Sequence, residues 1–339
     1  MLEDILDIKI KKYIAVTSAI LLIGIVGVFA FNFTKRATEK PKDFAPLVKE
    51  ITKDTKLIDA NTDHNQALDV AEYAVKKGIK FPEIIINFDT HSDVYLNYPV
   101  MKQGPARVES WINELFVNNP NLKELYWVIP NEETDKPSLQ TLFAENDFSN
   151  IENAVPLYGN SLNDDVPWLY FVFNPLYKKA YPQEFLVNIK DGVINEYSRN
   201  EQVNNLFFNK KYKFKKIKII TCTKETLPDM EGKKVFLSID ADYTSNSGFD
   251  TVDDFKINKT PTGISNTFYD IFKTIKDKNI KPEIISMSLS PQYLPKKDHE
   301  FVNKLFKEII QISGMRDEIN TYKRKYDPDP HYIEKHYSR

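Results

Sequence analysis

Short apolar runs alternate with amphipathic stretches along most of the chain. Runs that are too short and too apolar for surface helices predict buried strands, and apolar residues that recur at helical spacing predict helices between them. The predicted strands cover residues 56–60, 83–88, 125–129, 168–173, 184–197, 216–222, 234–239 and 283–289. The predicted helices cover residues 65–77, 108–117, 263–277 and 298–312. This alternation indicates an α/β domain over residues 55–315, with a mainly parallel sheet flanked by helices.

The middle of this domain, residues 131–212, is less regular, and we interpret it as an inserted lobe. Asp191-Gly192 predicts a hairpin turn within the strand region 184–197. The polar segment 316–339 is expected to be a loosely held C-terminal tail. No internal repeat is visible.

Residues 13–34 carry no charge and are long enough to cross a hydrocarbon core of about 30 Å. A retained single-pass anchor and a cleaved signal peptide both fit this pattern, and the length favours the anchor. The chain would then begin with a short tail, residues 1–12, and a linker, residues 35–54, would follow the span. Lysine and arginine are nearly balanced on its two sides, so orientation is weakly determined, with a slight preference for an extracytoplasmic domain.

Composition narrows the classes of function. A net charge of −2 and a pI near 6.3 provide no basic surface for a nucleic-acid partner. The hydrophobic content of 42% excludes wholesale disorder. A single cysteine, Cys222 in a predicted strand, excludes an internal disulfide framework and a cysteine-based zinc cluster.

The candidate chemistry follows three of the predicted strands. Asp63-His64 comes after the first strand, Asp89-Thr90-His91-Ser92-Asp93 after the second, and Asp240-Ala241-Asp242 after the strand 234–239. Ligands of open parallel sheets bind outside the carboxyl ends of the strands, where side chains of different strands can converge. The sequence therefore predicts one site at which these segments meet.

Four carboxylates in one pocket would repel each other strongly unless cations neutralised them. A pair of divalent cations would do so, and carboxylate and imidazole ligands without a thiolate favour Mn²⁺ over a structural zinc. A single D-x-H-x-D stretch could instead be a turn with capping carboxylates. The repetition at three strand ends favours the metal site, with the ligands His64, Asp89, His91, Asp93, Asp240 and Asp242.

The same residues resemble motifs of the arginase and ureohydrolase superfamily. Asp89-Thr90-His91-Ser92-Asp93 resembles its D-A-H-x-D motif, Asp240-Ala241-Asp242 its D-x-D motif, and Asp63-His64 the end of its G-G-D-H motif. The chain is more similar to an uncharacterised arginase-like family that includes the peptide arginases, which convert arginine side chains of ribosomal peptides to ornithine. Trp127-Val128-Ile129-Pro130 and Ser290-Pro291-Gln292-Tyr293 are shared with that family.

The resemblance implies a three-layer α/β/α sandwich that holds two Mn²⁺ ions. One ion would take His64, Asp89, Asp93 and Asp240, and the other would take Asp89, His91, Asp240 and Asp242. A metal-bridging hydroxide would attack the carbon of a guanidinium or amide C–N bond, on a small molecule or a peptide side chain. Asp242 and His91 are the candidate catalytic residues.

The chain departs from the superfamily pattern at three places. Residues 286–290 contain no acid to pair with a guanidinium, no histidine lies between His91 and His299, and Asn61 and Thr62 replace the glycines before Asp63. Three hypotheses therefore stay open: an arginase-like hydrolase, a deacetylase-like amide hydrolase, and a tethered domain that binds metal without turnover.

Overall fold

The computed structural model describes residues 40–95, 110–130, 156–160, 167–171, 180–196, 213–247, 257–316, 319 and 325–326. The chain divides into two units, residues 1–42 and 43–339, and the domain described below belongs to the second. The predicted membrane segment, residues 13–34, lies outside the described residues. Within the described ranges, no helix has both the length and the apolar character that a bilayer span requires.

Ten strands and five α-helices make up the described part of the chain. The strands are β1 (Leu57–Asn61), β2 (Ile84–Phe88), β3 (Glu124–Ile129), β4 (Pro156–Asn160), β5 (Pro167–Phe171), β6 (Tyr181–Asn188), β7 (Ile194–Glu196), β8 (Phe214–Thr223), β9 (Lys234–Asp240) and β10 (Lys281–Ser288). The helices are α1 (Ala45–Ile51), α2 (Ala67–Lys76), α3 (Trp111–Asn118), α4 (Pro261–Asp277) and α5 (His299–Ser313). Short 3-10 helices include His64–Gln66 and Ala241–Tyr243.

The main sheet has eight strands in the order β1-β10-β9-β2-β3-β8-β6-β7. The first six are parallel, and β6 and β7 extend the sheet in antiparallel fashion beyond β8. The prediction of a mixed α/β domain with a mainly parallel sheet is confirmed. Strands β4 and β5 form a separate two-stranded antiparallel sheet.

Two hydrophobic clusters cover the two faces of the sheet. Alternate residues of a strand point to opposite faces, so Ile85 of β2 joins the cluster formed with α2 and α3, whereas Ile86 joins the cluster formed with α1, α4 and α5. The domain therefore has three layers, with the sheet between α2 and α3 on one side and α1, α4 and α5 on the other.

Two segments differ from the expectations drawn from the sequence. Helix α1 lies within the range predicted as a linker and packs through the buried residues Val48 and Ile51. Its seven residues are too short for a helical repeat to be recognised in the sequence. Strands β6 and β7, which fall within the predicted inserted lobe 131–212, instead pair with the main sheet. Gly192, in the predicted turn between them, has the positive φ of 72° that such a turn requires.

Candidate metal centre

The strand order creates a crevice at the carboxyl edge of the sheet. Neighbouring strands β2 and β9 lie at its centre, and the chain continues from β2 towards β3 and from β9 in the opposite direction, towards β10. This reversal defines the point at which open α/β sheets bind ligands. Asp240 is the last residue of β9 and Asp89 directly follows β2, so register alone brings the two carboxylates together.

The crevice is polar on one face of the sheet only. On the side covered by α2 and α3, the apolar residue Ile85 of β2 is followed towards the carboxyl end by the polar Asn87. In the same way, Phe236 of β9 is followed by Ser238. On the same face, β1 carries the buried polar residues Asp59 and Asn61, and β10 carries Ser286 and Ser288. The opposite face stays apolar as far as Phe88 and Ile239. The metal-ligand candidates therefore lie between the sheet and the α2–α3 layer.

His64 is surrounded by three carboxylates. Its Nδ1 lies 2.6 Å from Asp240 Oδ2, 3.1 Å from Asp93 Oδ2 and 3.4 Å from Asp89 Oδ2. All four side chains are buried. This group corresponds to the four ligands assigned to the first cation.

His91 forms the second half of the centre. Its Nδ1 lies 2.8 Å from Asp242 Oδ2 and 3.8 Å from Asp89 Oδ1. Asp89 therefore has one carboxylate oxygen within 4 Å of each imidazole, and its Oδ1 accepts a hydrogen bond of 2.7 Å from the His91 backbone N–H. The ligand atoms of His64, Asp89 and Asp93 lie within 4.8 Å of one another, as do those of Asp89, His91 and Asp242. Asp240 is in neither of these two groups, although it contacts His64.

Local backbone interactions explain why the sequence holds these side chains here. Asp63 and Gln66 form a capping box, in which the Asp63 side chain accepts from the Gln66 backbone N–H and Gln66 Oε1 accepts from the Asp63 backbone N–H. This capping places His64 in the first turn of a 3-10 helix. At the end of β9, Asp240 Oδ1 accepts a hydrogen bond of 3.0 Å from the Asp242 backbone N–H. Asp93 adopts the left-handed backbone conformation, with φ of 53°.

Donors behind the carboxylates fix their orientation. Asp89 accepts from the Asn87 amide at 3.0 Å, and Asp93 accepts from the Trp111 indole N–H at 2.5 Å. Asp240, at the end of β9, accepts a hydrogen bond at Oδ2 from Ser290 Oγ at 2.7 Å. Such partners of metal ligands are typical of metal centres, where they fix ligand geometry.

Asp242 is held by a short chain of polar side chains. Thr90 Oγ1 donates to Asp242 Oδ2 at 2.5 Å, and Asn246 donates to Thr90 Oγ1 at 3.1 Å. The ring of Tyr293 lies 4.3 Å from that of His91, centroid to centroid, and covers this side of the centre. The Thr90–Asp242 hydrogen bond joins the D-x-H-x-D and D-x-D loops directly.

The pKa values of several ionisable groups in the centre are strongly shifted. Burial raises the pKa of the Asp89 carboxyl, and the charges of Asp93 and Asp242 raise it further. Burial and the charge of Asp242 raise the pKa of Asp240 to about 7. Burial lowers the pKa of His64, but the carboxylates of Asp240 and Asp93 outweigh it and raise that pKa well above its usual range.

Asp242 behaves differently from Asp89 and Asp240. Burial raises the pKa of its carboxyl, but the hydrogen bond and charge of His91 outweigh that effect and lower the pKa overall. In the metal-free centre, the raised pKa values of His64, Asp89 and Asp240 thus favour the protonated forms of these three groups. A divalent cation would replace those protons, which is the expected linkage between metal binding and proton release.

The donor set fits divalent cations. Adjacent ligand atoms of an octahedral ion bound at ~2.1 Å are about 3 Å apart. The 2.6–3.4 Å separations between His64 Nδ1 and its three carboxylate oxygens are compatible with this value and with hydrogen bonds. Imidazole and carboxylate without thiolate suit Mn²⁺ and similar ions. The six predicted ligands are thus brought together, while their assignment to individual ions remains a prediction.

Three further residues of the centre were not predicted from the sequence. Trp111 lies in the predicted helix 108–117, and Ser290 and Tyr293 belong to the motif Ser290-Pro291-Gln292-Tyr293, but the sequence predicts no role for them at the site. An indole N–H needs a partner when buried, which is a signal that could have identified Trp111 as a donor. Nothing in the local sequence indicates that Ser290 binds Asp240, because that contact depends on the pairing of β10 with β9.

Comparisons with known proteins give little further information. No protein-family model matches the chain, and no curated protein matches it. Among solved structures, the crystal structure of "a putative agmatinase" from Clostridium difficile is similar, with 15% sequence identity and a TM-score of 0.35. The similarity covers 80% of this chain and 72% of the other. At that TM-score it establishes neither a shared fold nor a shared activity.

Proposed function

We propose that this chain is a hydrolase whose metal centre holds two divalent cations, with Mn²⁺ favoured, and that it acts on a C–N bond of a guanidinium or an amide. The observation that carries the proposal is the position of Asp89, which directs Oδ2 towards His64 and Oδ1 towards His91. A carboxylate placed between two imidazole-containing ligand groups is the arrangement that a pair of cations requires.

The ligand assignment follows the resemblance to the arginase superfamily. His64 and Asp93 would bind the first cation, His91 and Asp242 the second, and Asp89 and Asp240 both. When bound, such a pair lowers the pKa of a water molecule and polarises the bond to be cleaved. His91 and Asp242 are the proposed catalytic residues.

The chain's own side chains supply orientation and proton control at this centre. Thr90 and Asn246 hold Asp242, and Ser290 holds Asp240, so both carboxylates of the D-x-D loop are fixed before a substrate arrives. Both imidazoles direct Nδ1 towards carboxylates, which leaves Nε2 as the position that carries a proton when metal is bound. Burial excludes bulk water and strengthens each of these interactions.

The last strand bears on the choice of substrate. A guanidinium would be recognised best by a carboxylate, but residues 286–290 of β10 and its following loop carry none. Ser286 accepts a hydrogen bond from Asn61, and Ser290 donates to Asp240. This observation favours a second candidate function, a deacetylase-like amide hydrolase. The third hypothesis, a domain that binds metal without turnover, is tested by the same experiment.

The physiological setting forms part of the proposal. The apolar segment 13–34 would anchor the enzyme to a membrane, with the domain slightly favoured on the extracytoplasmic side. A substrate side chain on a peptide or protein fits a tethered enzyme, as the resemblance to the peptide arginases suggests.

Metal quantification followed by product analysis tests the proposed function. The full-length chain is purified, loaded with Mn²⁺ and analysed for metal, and we expect close to two ions per chain. It is then incubated with arginine-containing peptides and with acetylated peptides. Urea release supports the arginase-like activity, and acetate release supports the amide hydrolase.

Two variants control this experiment. Asp89→Asn should abolish metal binding and turnover together, whereas the exposed Asp54→Asn makes the same chemical change outside the centre and should alter neither. Metal binding with no product from a broad panel of guanidinium and amide substrates would favour the binding domain. A wild-type chain that binds no divalent cation would refute the proposal.

A further inference from the structure

Two residues near the end of the chain, Lys325 and Tyr326, lie against the helix that follows His64. We call them the C-terminal strap. Their backbone N–H groups both donate to Asp69 in α2, to Oδ1 at 2.9 Å and to Oδ2 at 3.3 Å. Asp69 is fully buried, and Tyr326 is 5% exposed. Both oxygens of one buried carboxylate thus hold the backbone of the strap.

The strap also contacts α3. Tyr326 donates from its hydroxyl to Glu114 Oε2 at 3.3 Å, and its ring packs in the hydrophobic cluster shared by α2 and α3. Ile319 is fully buried in the same cluster. Helix α3 also carries Trp111, the donor to Asp93. The strap therefore joins the two helices that support the His64 half of the metal centre.

Gln66 connects the strap to the turn that carries His64. Its Nε2 donates to the carbonyl oxygen of Tyr326 at 3.1 Å, while its Oε1 accepts from the backbone N–H groups of Thr62 at 2.9 Å and Asp63 at 3.3 Å. One amide side chain thus makes contacts with the strap and with the two residues that precede His64. All three contacts are lost if Gln66 rotates away.

The turn needs such support because a three-residue 3-10 helix has little stability of its own. A metal ligand has to be held within about 0.5 Å of its working position. We propose that the C-terminal strap is a positioning element that holds the His64 turn in the metal centre through Gln66 and Asp69. The benefit to metal binding rests on the proposed function, whereas the holding of the turn does not.

Two truncated chains test this proposal. A chain of residues 1–324 lacks the strap, and a chain of residues 1–330 keeps it and serves as the matched control. Amide hydrogen exchange is measured without metal. We expect exchange of residues 62–69 to be about 10-fold faster in the first chain than in the second, because each ~1.4 kcal/mol lost from a local opening gives a tenfold change. Exchange of residues 84–88 in β2 should be equal in the two chains.

Two single substitutions provide an independent test. Asp69→Asn should raise exchange of residues 62–69 more in chain 1–330 than in chain 1–324, because the two backbone donors of the strap are already absent from the shorter chain. Gln66→Glu keeps the acceptor for Thr62 and Asp63 and loses the donor to Tyr326, so it should resemble the strapless chain in part. Full additivity of Asp69→Asn in the strapless chain would overturn the proposal.

Metal titration then separates the strap from the metal centre. In chain 1–330 we expect Mn²⁺ to bind as in the full-length chain, and in chain 1–324 about 10-fold more weakly. Equal exchange of residues 62–69 in the two chains overturns the role of the strap, whatever their metal content. Equal acceleration at residues 62–69 and 84–88 also overturns it, since that result means general destabilisation. Absence of metal from the full-length chain would refute the proposed function alone.

Discussion

Asp89→Asn is the substitution on which the two-cation hypothesis can be judged most directly. The change keeps the size of the side chain and removes its charge. Asp89 Oδ2 is 3.4 Å from His64 Nδ1, and Oδ1 is 3.8 Å from His91 Nδ1, so the loss of charge reaches both halves of the centre. If Asp89 bound only one cation, the substitution would weaken metal binding in only one half of the centre.

The expected loss of metal affinity can be bounded. Removing a hydrogen-bond partner of a metal ligand typically weakens metal binding by 10–100-fold. Removing a ligand shared by both ions should therefore exceed about 100-fold for each, which corresponds to more than about 2.7 kcal/mol. Both ions should be lost at Mn²⁺ concentrations that saturate the wild-type chain.

The stability of the metal-free chain should not fall in the same way as its metal affinity does. Burial and the charges of Asp93 and Asp242 raise the pKa of Asp89, which means that its charged form is unfavourable without a cation. Two like charges 4 Å apart repel by about 4 kcal/mol at an effective dielectric constant of 20. Where Asp89 is ionised, the Asn variant relieves this repulsion, but it places its amide beside that of Asn87, at a cost of about 1–3 kcal/mol. We therefore expect its metal-free Tm to equal or exceed that of the wild type.

Calorimetric titration and thermal unfolding with and without Mn²⁺ measure both effects. The wild type should gain about 2.7 kcal/mol of stability at a free metal concentration 100 times its Kd, and Asp89→Asn should gain almost none. Asp54→Asn should behave as the wild type does. If Asp89→Asn retains one ion at wild-type affinity, the sharing of this carboxylate is refuted.

Three further predictions concern the same centre. Asp240→Asn should remove both ions whereas His64→Asn should weaken mainly one, and unchanged metal content in Asp240→Asn would contradict its assignment as a bridge. Mn²⁺ affinity should fall as pH falls through about 7, because Asp240 then takes up a proton that the metal must displace, and a flat affinity profile in titrations at several pH values would contradict this. The raised pKa of Asp240 should also make the metal-free chain less stable as pH rises from about 4 to 7, which unfolding at several pH values would measure. Trp111→Phe removes the donor to Asp93 and should weaken metal binding by about 10–100-fold, and an unchanged Kd would show that this hydrogen bond has no positioning role.

The candidate site was largely predictable because its candidate ligands lie at the carboxyl ends of strands or just after them. Asp63-His64, Asp89 to Asp93 and Asp240-Ala241-Asp242 each come after an apolar run, and all three runs are parallel strands of the sheet. Apolar runs of strand length specify buried strands by their own hydrophobicity, and parallel strands present their carboxyl ends at one edge. Local sequence was sufficient for these features.

Tertiary structure decided which side chains support those ligands. Strand register brings Ser290 to Asp240, and packing of α3 on the sheet brings Trp111 to Asp93. These partners are far apart in the chain, and one residue of slip in register would turn the strand's side chains to the other face.

The burial of Tyr326, near the end of the chain, also depends on tertiary contacts and not on the local sequence. Tyr326 follows a polar segment, and nothing near it indicates burial, because its contact with Glu114 and the contact of its backbone with Asp69 exist only in the folded chain. The sequence by itself determined the six parallel strands and the candidate ligands at the ends of three of them, since each depends on neighbouring residues. Only the tertiary structure decided the donors, the strap and the sheet extension by β6 and β7, since each depends on residues brought together from distant parts of the chain.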